Sequence, residues 1–194
     1  MTKREEISLA TPGMPVPDRL VVYLQLPGAN SLEVLAEGKP GEGIGFTPMD
    51  ILLVDDNPGD VRMVVEALKE ALPAARLSVA IDGIEALRFL RREGRYYKAP
   101  RPDLIFLDLR LPKLSGFDVL AEVKQDAALA NIPIVVQTSS EAPADVHKAY
   151  SLHANCYITK PCDLEEFSRT MRVLAEFWVT IAKLPDGGND ARTN

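Results

Sequence analysis

Histidine and cysteine are scarce: the 194-residue chain has two of each. Cys156 and Cys162 are separated by five residues, a spacing that fits neither a zinc knuckle nor a CxxC redox pair. They are expected as reduced, partly packed thiols. His147 and His153 are six apart, which places them on different faces of a helix rather than together as i, i+4 metal ligands. Both read as surface or packing residues. No apolar run approaches the roughly 18 residues that span a bilayer. The polar start, with Lys3, Arg4, Glu5 and Glu6, lacks the apolar stretch of a signal peptide, so a cytoplasmic location with no membrane partner is expected. Positive charge is also short. Lys and Arg number 22 against 28 Asp and Glu, a net charge of −6, which provides no long-range attraction for nucleic acid.

What is present is a globular composition, 46% hydrophobic and 26% charged. Residues 1–48 hold six of the 12 glycines and six of the 15 prolines. This extension is expected to be mostly irregular, with at most a short strand from Leu20 to Leu26, a Pro27-Gly28 turn and a helical turn or two near Ser31 to Glu37. From Asp50 onward, short apolar runs alternate with helical periods. The runs are Ile51 to Val54, Leu77 to Ile81, Leu104 to Leu107, Ile134 to Val136 and Tyr157 to Ile158. Several are apolar throughout, as strands covered on both faces should be. The segments between them carry helix signals. Asn57 and Pro58 suit an N-cap and first helical position. Asp82 with Glu85 and Ser115 with Asp118 have capping-box spacing. Pro143 opens a fourth helix, and Asp163 caps a fifth running to about Ala182.

Five βα units with right-handed crossovers make a doubly wound five-stranded parallel sheet of α/β class, (βα)5. The expected domain spans residues 49–182, followed by a flexible tail at 183–194. The abrupt onset of the first strand at Met49-Asp50 makes Met49 a candidate translation start.

Ligands of such sheets bind beyond the carboxyl ends of the strands. There stand Asp55-Asp56 after the first run, Asp108 after the third, Thr138-Ser139 after the fourth and Lys160-Pro161 after the fifth. Taken singly, each is an ordinary cap, turn or surface residue. Together they place three carboxylates on one edge, where they repel one another unless a hard cation such as Mg²⁺ intervenes. Lys160 provides a point charge for a phosphoryl group and Thr138 a hydroxyl donor. A carboxylate nucleophile beside Mg²⁺ reads as an aspartyl-phosphate site.

The motifs Leu53-Val54-Asp55-Asp56-Asn57, Asp82-Gly83-Ile84-Glu85-Ala86-Leu87, Leu107-Asp108-Leu109-Arg110-Leu111-Pro112 and Tyr157-Ile158-Thr159-Lys160-Pro161 resemble a response-regulator receiver domain from Met49 to about Ala182. The resemblance implies a flavodoxin-like fold with strand order 2-1-3-4-5 and a phosphoryl group accepted by Asp108 from a histidine kinase. It implies Mg²⁺ held by Asp56, Asp108 and the Arg110 backbone carbonyl, with Asp55 assisting through water. Lys160 would bind the phosphate. Thr138 would swing toward it while Tyr157 changes rotamer and alters the face of the fourth helix, fifth strand and fifth helix. Arg110 stands where many receivers carry a smaller polar side chain, and that position influences phosphoryl-group lifetime in the family. Within the family, Asp55-Asp56-Asn57-Pro58-Gly59-Asp60, Arg91-Arg92-Glu93-Gly94-Arg95, Leu152 through Lys160 and Glu176-Phe177-Trp178 look most like single-domain regulators partnered with bacterial phytochromes.

The last helix has a main apolar stripe, Leu164, Phe167, Met171, Leu174 and Trp178, expected to pack on the sheet. A second line of Val173, Phe177 and Thr180 suggests a homodimer contact through the same switch face. The basic cluster Arg91, Arg92, Arg95, Lys98 and Arg101 reads as a solvated run or a docking patch for an acidic kinase surface. Two other functions compete. A pseudo-receiver would signal without phosphorylation, against which the intact acid, Thr138 and Lys160 set argues. A haloacid-dehalogenase-like phosphohydrolase would need an acid where Arg110 stands. No enzymatic turnover beyond self-phosphorylation and its reversal is expected, and too few residues follow Ala182 for a DNA-binding domain.

Overall fold

The computed structural model describes residues 21–24, 32–35, 49–73, 75–161 and 163–184. In chain order, the strands are β1 Val21–Leu24, β2 Leu32–Leu35, β3 Asp50–Val54, β4 Arg76–Ala80, β5 Leu104–Leu107, β6 Ile134–Thr138 and β7 Cys156–Thr159. The helices are α1 Pro58–Ala71, α2 Gly83–Leu90, α3 Gly116–Gln125, α4 Pro143–Ser151 and α5 Leu164–Glu176, the last running into a π turn at Phe177–Ile181.

Strands β3 to β7 are parallel and lie in the order β4-β3-β5-β6-β7, the expected 2-1-3-4-5 arrangement of five strands. The extension adds two strands to this core, β1 in parallel on β4 and β2 antiparallel on β1, for seven among the described residues. One expectation needs correction. Residues Leu32–Leu35, expected to be helical, form β2. A helical turn this short cannot sustain itself, whereas the free edge of β4 offers a row of unpaired N–H and C=O groups to a hairpin. The rest of the extension (1–20, 25–31 and 36–48), the tail from 185 to 194, Cys162 and the side chains of Leu164 and Thr180 lie outside the described residues.

Alternation along each parallel strand divides the core into two layers. Leu52, Val54, Ile105, Leu107 and Val136 pack toward α2, α3 and α4, against Leu87, Leu90, Val119, Leu120 and Val123. Ile51, Leu53, Phe106 and Val135 pack toward α1 and α5, against Val61, Val64, Leu68, Phe167 and Met171. Leu174 and Trp178 of the main α5 stripe flank this second layer.

The caps fall where their residue types place them. Asn57 accepts from the Gly59 N–H at 2.9 Å, Asp82 from Glu85 at 2.7 Å and Asp163 from Glu166 at 2.9 Å. The basic loop is tied down internally: Arg91 pairs with Glu122 at 2.7 Å, Arg95 with Glu85, and Arg101 with the Ala128 carbonyl. His147 is exposed on α4, and His153 ends that helix in the left-handed region at φ 65°. Burial pushes the Cys156 thiol up, which keeps it an inert packing residue.

Candidate functional site

The pleat that sorts the core also aims the site. Asp55 continues the row Ile51-Leu53, and Asp108 the row Leu104-Phe106, so both carboxylates emerge on the α1/α5 face at the carboxyl ends of β3 and β5. Lys160, just past β7, joins them there. Its Nζ lies 2.7 Å from Asp55 Oδ2, 2.6 Å from Asp108 Oδ2 and 2.7 Å from Asp60 Oδ2. The Lys160 side chain is 6% exposed and that of Asp55 1%.

Backbone donors fix the carboxylates. The Asn57 N–H donates to Asp55 Oδ1 at 3.0 Å, and the Arg110 N–H to Asp108 Oδ1 at 3.0 Å. Gly116, at the start of α3, packs against the acceptor-strand backbone. A Cβ there would lie 2.0 Å from the Asp108 carbonyl oxygen, so only glycine lets α3 approach this closely.

The structure thus brings Asp55, Asp108 and Lys160 together. Thr138 is fully buried at the end of β6. Its Oγ1 accepts from the Ser140 N–H at 3.5 Å, and the Tyr157 hydroxyl donates to the Ser140 carbonyl at 2.9 Å. Ser140 Oγ also donates to Asp145 Oδ2 on α4 at 2.5 Å. The two candidate switch residues are therefore joined through one loop residue to the helix whose face they would alter. Asp56 and the Arg110 side chain are exposed at the mouth. The residue that sequence reasoning missed is Asp60. As the third residue of α1 after the Asn57 cap, it carries the ordinary signature of a first-turn acid, and only the docking of α1 on the sheet turns it toward Lys160.

Burial pushes the Asp55 carboxyl up to about 6, against the opposing charge of Lys160. Burial acts on Lys160 in the other direction, but Asp55 and the hydrogen bonds to Asp108, Asp55 and Asp60 outweigh it and hold the ammonium above its ordinary range. Both shifts favour the protonated form, which makes the Asp55 carboxyl harder to ionise and keeps the Lys160 ammonium charged. The ammonium stays charged, because three carboxylates face it and the removal of one leaves two.

The donor set suits a hard divalent cation. Carboxylate oxygens of Asp55, Asp60 and Asp108 lie within 4.8 Å of one another, around the Lys160 ammonium, and hard carboxylate oxygens of this kind, one or two to an ion, suit Mg²⁺ or Mn²⁺ rather than softer metals.

A five-stranded 2-1-3-4-5 parallel core whose strand ends gather two buried aspartates, a threonine and a lysine defines a receiver. The chain belongs to the response regulator receiver domain family, matching it over residues 51–172. It is 44% identical over 138 residues to Response regulator Rcp1 of Synechocystis sp., an alignment covering 71% of this chain and 94% of that one. Its fold matches that of the phosphorylated cyanobacterial phytochrome response regulator RcpA with a TM-score of 0.69 at 44% identity, covering 72% of this chain and 99% of that one. The Mn²⁺-bound form of Rcp1 gives 0.68 at 43% identity, covering 71% and 99%. The protein is a response regulator of two-component signalling, in a flavodoxin-like fold. Among the described residues, no helix is long and apolar enough to cross a membrane.

Proposed function

We propose that Asp108 is the phosphoacceptor and that a histidine kinase is the donor. One observation carries the reading: Asp108 ends a buried parallel strand with its carboxylate 2.6 Å from the ammonium of Lys160, itself anchored by Asp55. In the transfer, an Asp108 carboxylate oxygen forms a bond to phosphorus as the phosphorus–nitrogen bond of a phosphohistidine breaks, and the imidazole leaves with the electron pair. Lys160 neutralises charge on the phosphoryl oxygens. Asp55, Asp56, Asp108 and the Arg110 carbonyl would hold Mg²⁺, which supplies charge neutralisation when bound. Thr138 then turns its hydroxyl to a phosphoryl oxygen and gives up the Ser140 N–H. Tyr157, tied to the Ser140 carbonyl, responds, and the α4-β7-α5 face changes.

A phytochrome-type kinase is supported by the likeness to cyanobacterial phytochrome regulators. A second copy of the chain on the α4-β7-α5 face is supported by exposed Tyr150, Val173, Phe177 and Ile181. The intact acid, Thr138 and Lys160 set favours a phosphorylated switch over a pseudo-receiver. Mg²⁺-dependent labelling by acetyl phosphate tests the acceptor. Wild type gains one phosphoryl group and Asp108→Asn none, while equal labelling of both refutes the assignment.

A further inference from the structure

Lys160 has no donor to spare. An ammonium carries three N–H groups, and Asp55, Asp60 and Asp108 take them at 2.7, 2.7 and 2.6 Å. With the side chain 6% exposed, water does not replace them freely. Toward β6 the neighbour is neutral. Gln137 follows the registered pair Leu107↔Val136 and so lies beside Asp108 on the same face, a residue 1% exposed whose buried amide is unpartnered. Asp60 is therefore the extra charge that the acceptor and its lysine meet.

We propose that Asp60 is a positioning residue for phosphoryl uptake: it holds Lys160 in the unphosphorylated protein, supports the cation site, and opposes the phosphoryl group electrostatically. The proposal rests on Asp108 being the acceptor. Phosphorylation raises the negative charge on Asp108 from one to about two and asks Lys160 for a donor to the new oxygens. Of the two other partners, Asp55 is buried at 1% exposure and fixed by the Asn57 N–H. Asp60 is 28% exposed on the first turn of α1. It is the partner able to turn into water, so the Lys160–Asp60 contact is the one that yields. While the Asp60 charge remains near, it attracts the cation and repels the phosphoryl group.

These two effects have opposite signs, which a helix-capping role would not produce. Even with the full screening of bulk water, a unit charge some 5 Å away changes a binding constant by roughly fivefold, and the lower effective dielectric near a protein surface enlarges the effect. In the purified full chain, Asp60→Asn is expected to bind Mg²⁺ at least about fivefold more weakly by calorimetry. At saturating Mg²⁺, the same variant should bind beryllofluoride at least about fivefold more tightly by fluorine NMR. Asp60→Glu keeps the charge and should restore both constants toward wild type. Unchanged constants in Asp60→Asn, or shifts of both in the same direction, overturn the proposal. If wild type binds Mg²⁺ but takes no beryllofluoride, the acceptor assignment itself fails and this proposal falls with it.

Discussion

Three carboxylates share one ammonium, and burial makes Asp55 hard to ionise. Its carboxyl is raised from an ordinary 3.8 to about 6. The folded protein therefore binds a proton there more readily than the unfolded chain does. Stability from this group is complete below about pH 4 and is lost as pH rises through 6. Asp55→Asn removes the ionisation while Asp60 and Asp108 still pair with Lys160. In metal-free buffer at pH 7, urea unfolding should show the variant more stable by on the order of 2 kcal/mol. The gain should vanish toward pH 4. A wild type equally stable at pH 7 would show that the Lys160 charge, not burial, governs Asp55. The identities of Asp55, Asp108, Thr138 and Lys160 as strand-end residues were readable from the chain, because each follows an apolar run. Asp60 was not, since a first-turn acid looks the same whether it faces water or a buried lysine.

At the scale of elements, local signals were largely sufficient. Asn57, Asp82, Ser115 and Asp163 cap the helices they precede, because a short polar side chain can satisfy the free N–H groups of a first turn without tertiary help. Past α5, a π turn is closed by the Ala182 N–H on the Phe177 carbonyl at 2.8 Å, and the exposed line includes Val173, Phe177 and Ile181, which are 63%, 44% and 69% exposed. Trp178 stays on the core side, edge-on to Phe177 at 5.1 Å between ring centroids. If this line is the contact between two copies, Val173→Glu places a charge within it. The variant should then elute as a monomer by light scattering, with phosphoryl labelling unchanged, and an unaltered dimer would exclude α5 from the contact.

At the scale of the whole molecule, the proposed cation site exists only when the ends of β3 and β5 are assembled, with Asp60 of α1 beside them, so Mg²⁺ would bind the folded state and not the unfolded chain. Linkage then requires Mg²⁺ to raise the unfolding temperature, with about 2.7 kcal/mol gained at a hundredfold excess over Kd. The gain should shrink below pH 6, where protons compete for Asp55. Differential scanning calorimetry across pH checks both, and a temperature indifferent to Mg²⁺ at pH 7 would remove the cation from the site. The chain's own order of apolar runs and caps determined the five βα units and which side chains stand at the strand ends, since period and capping are local properties. Packing decided what no local pattern encodes. The hairpin lies on the β4 edge because an open sheet edge draws a strand, and Asp60 reaches Lys160 because α1 docks across residues 100 positions apart.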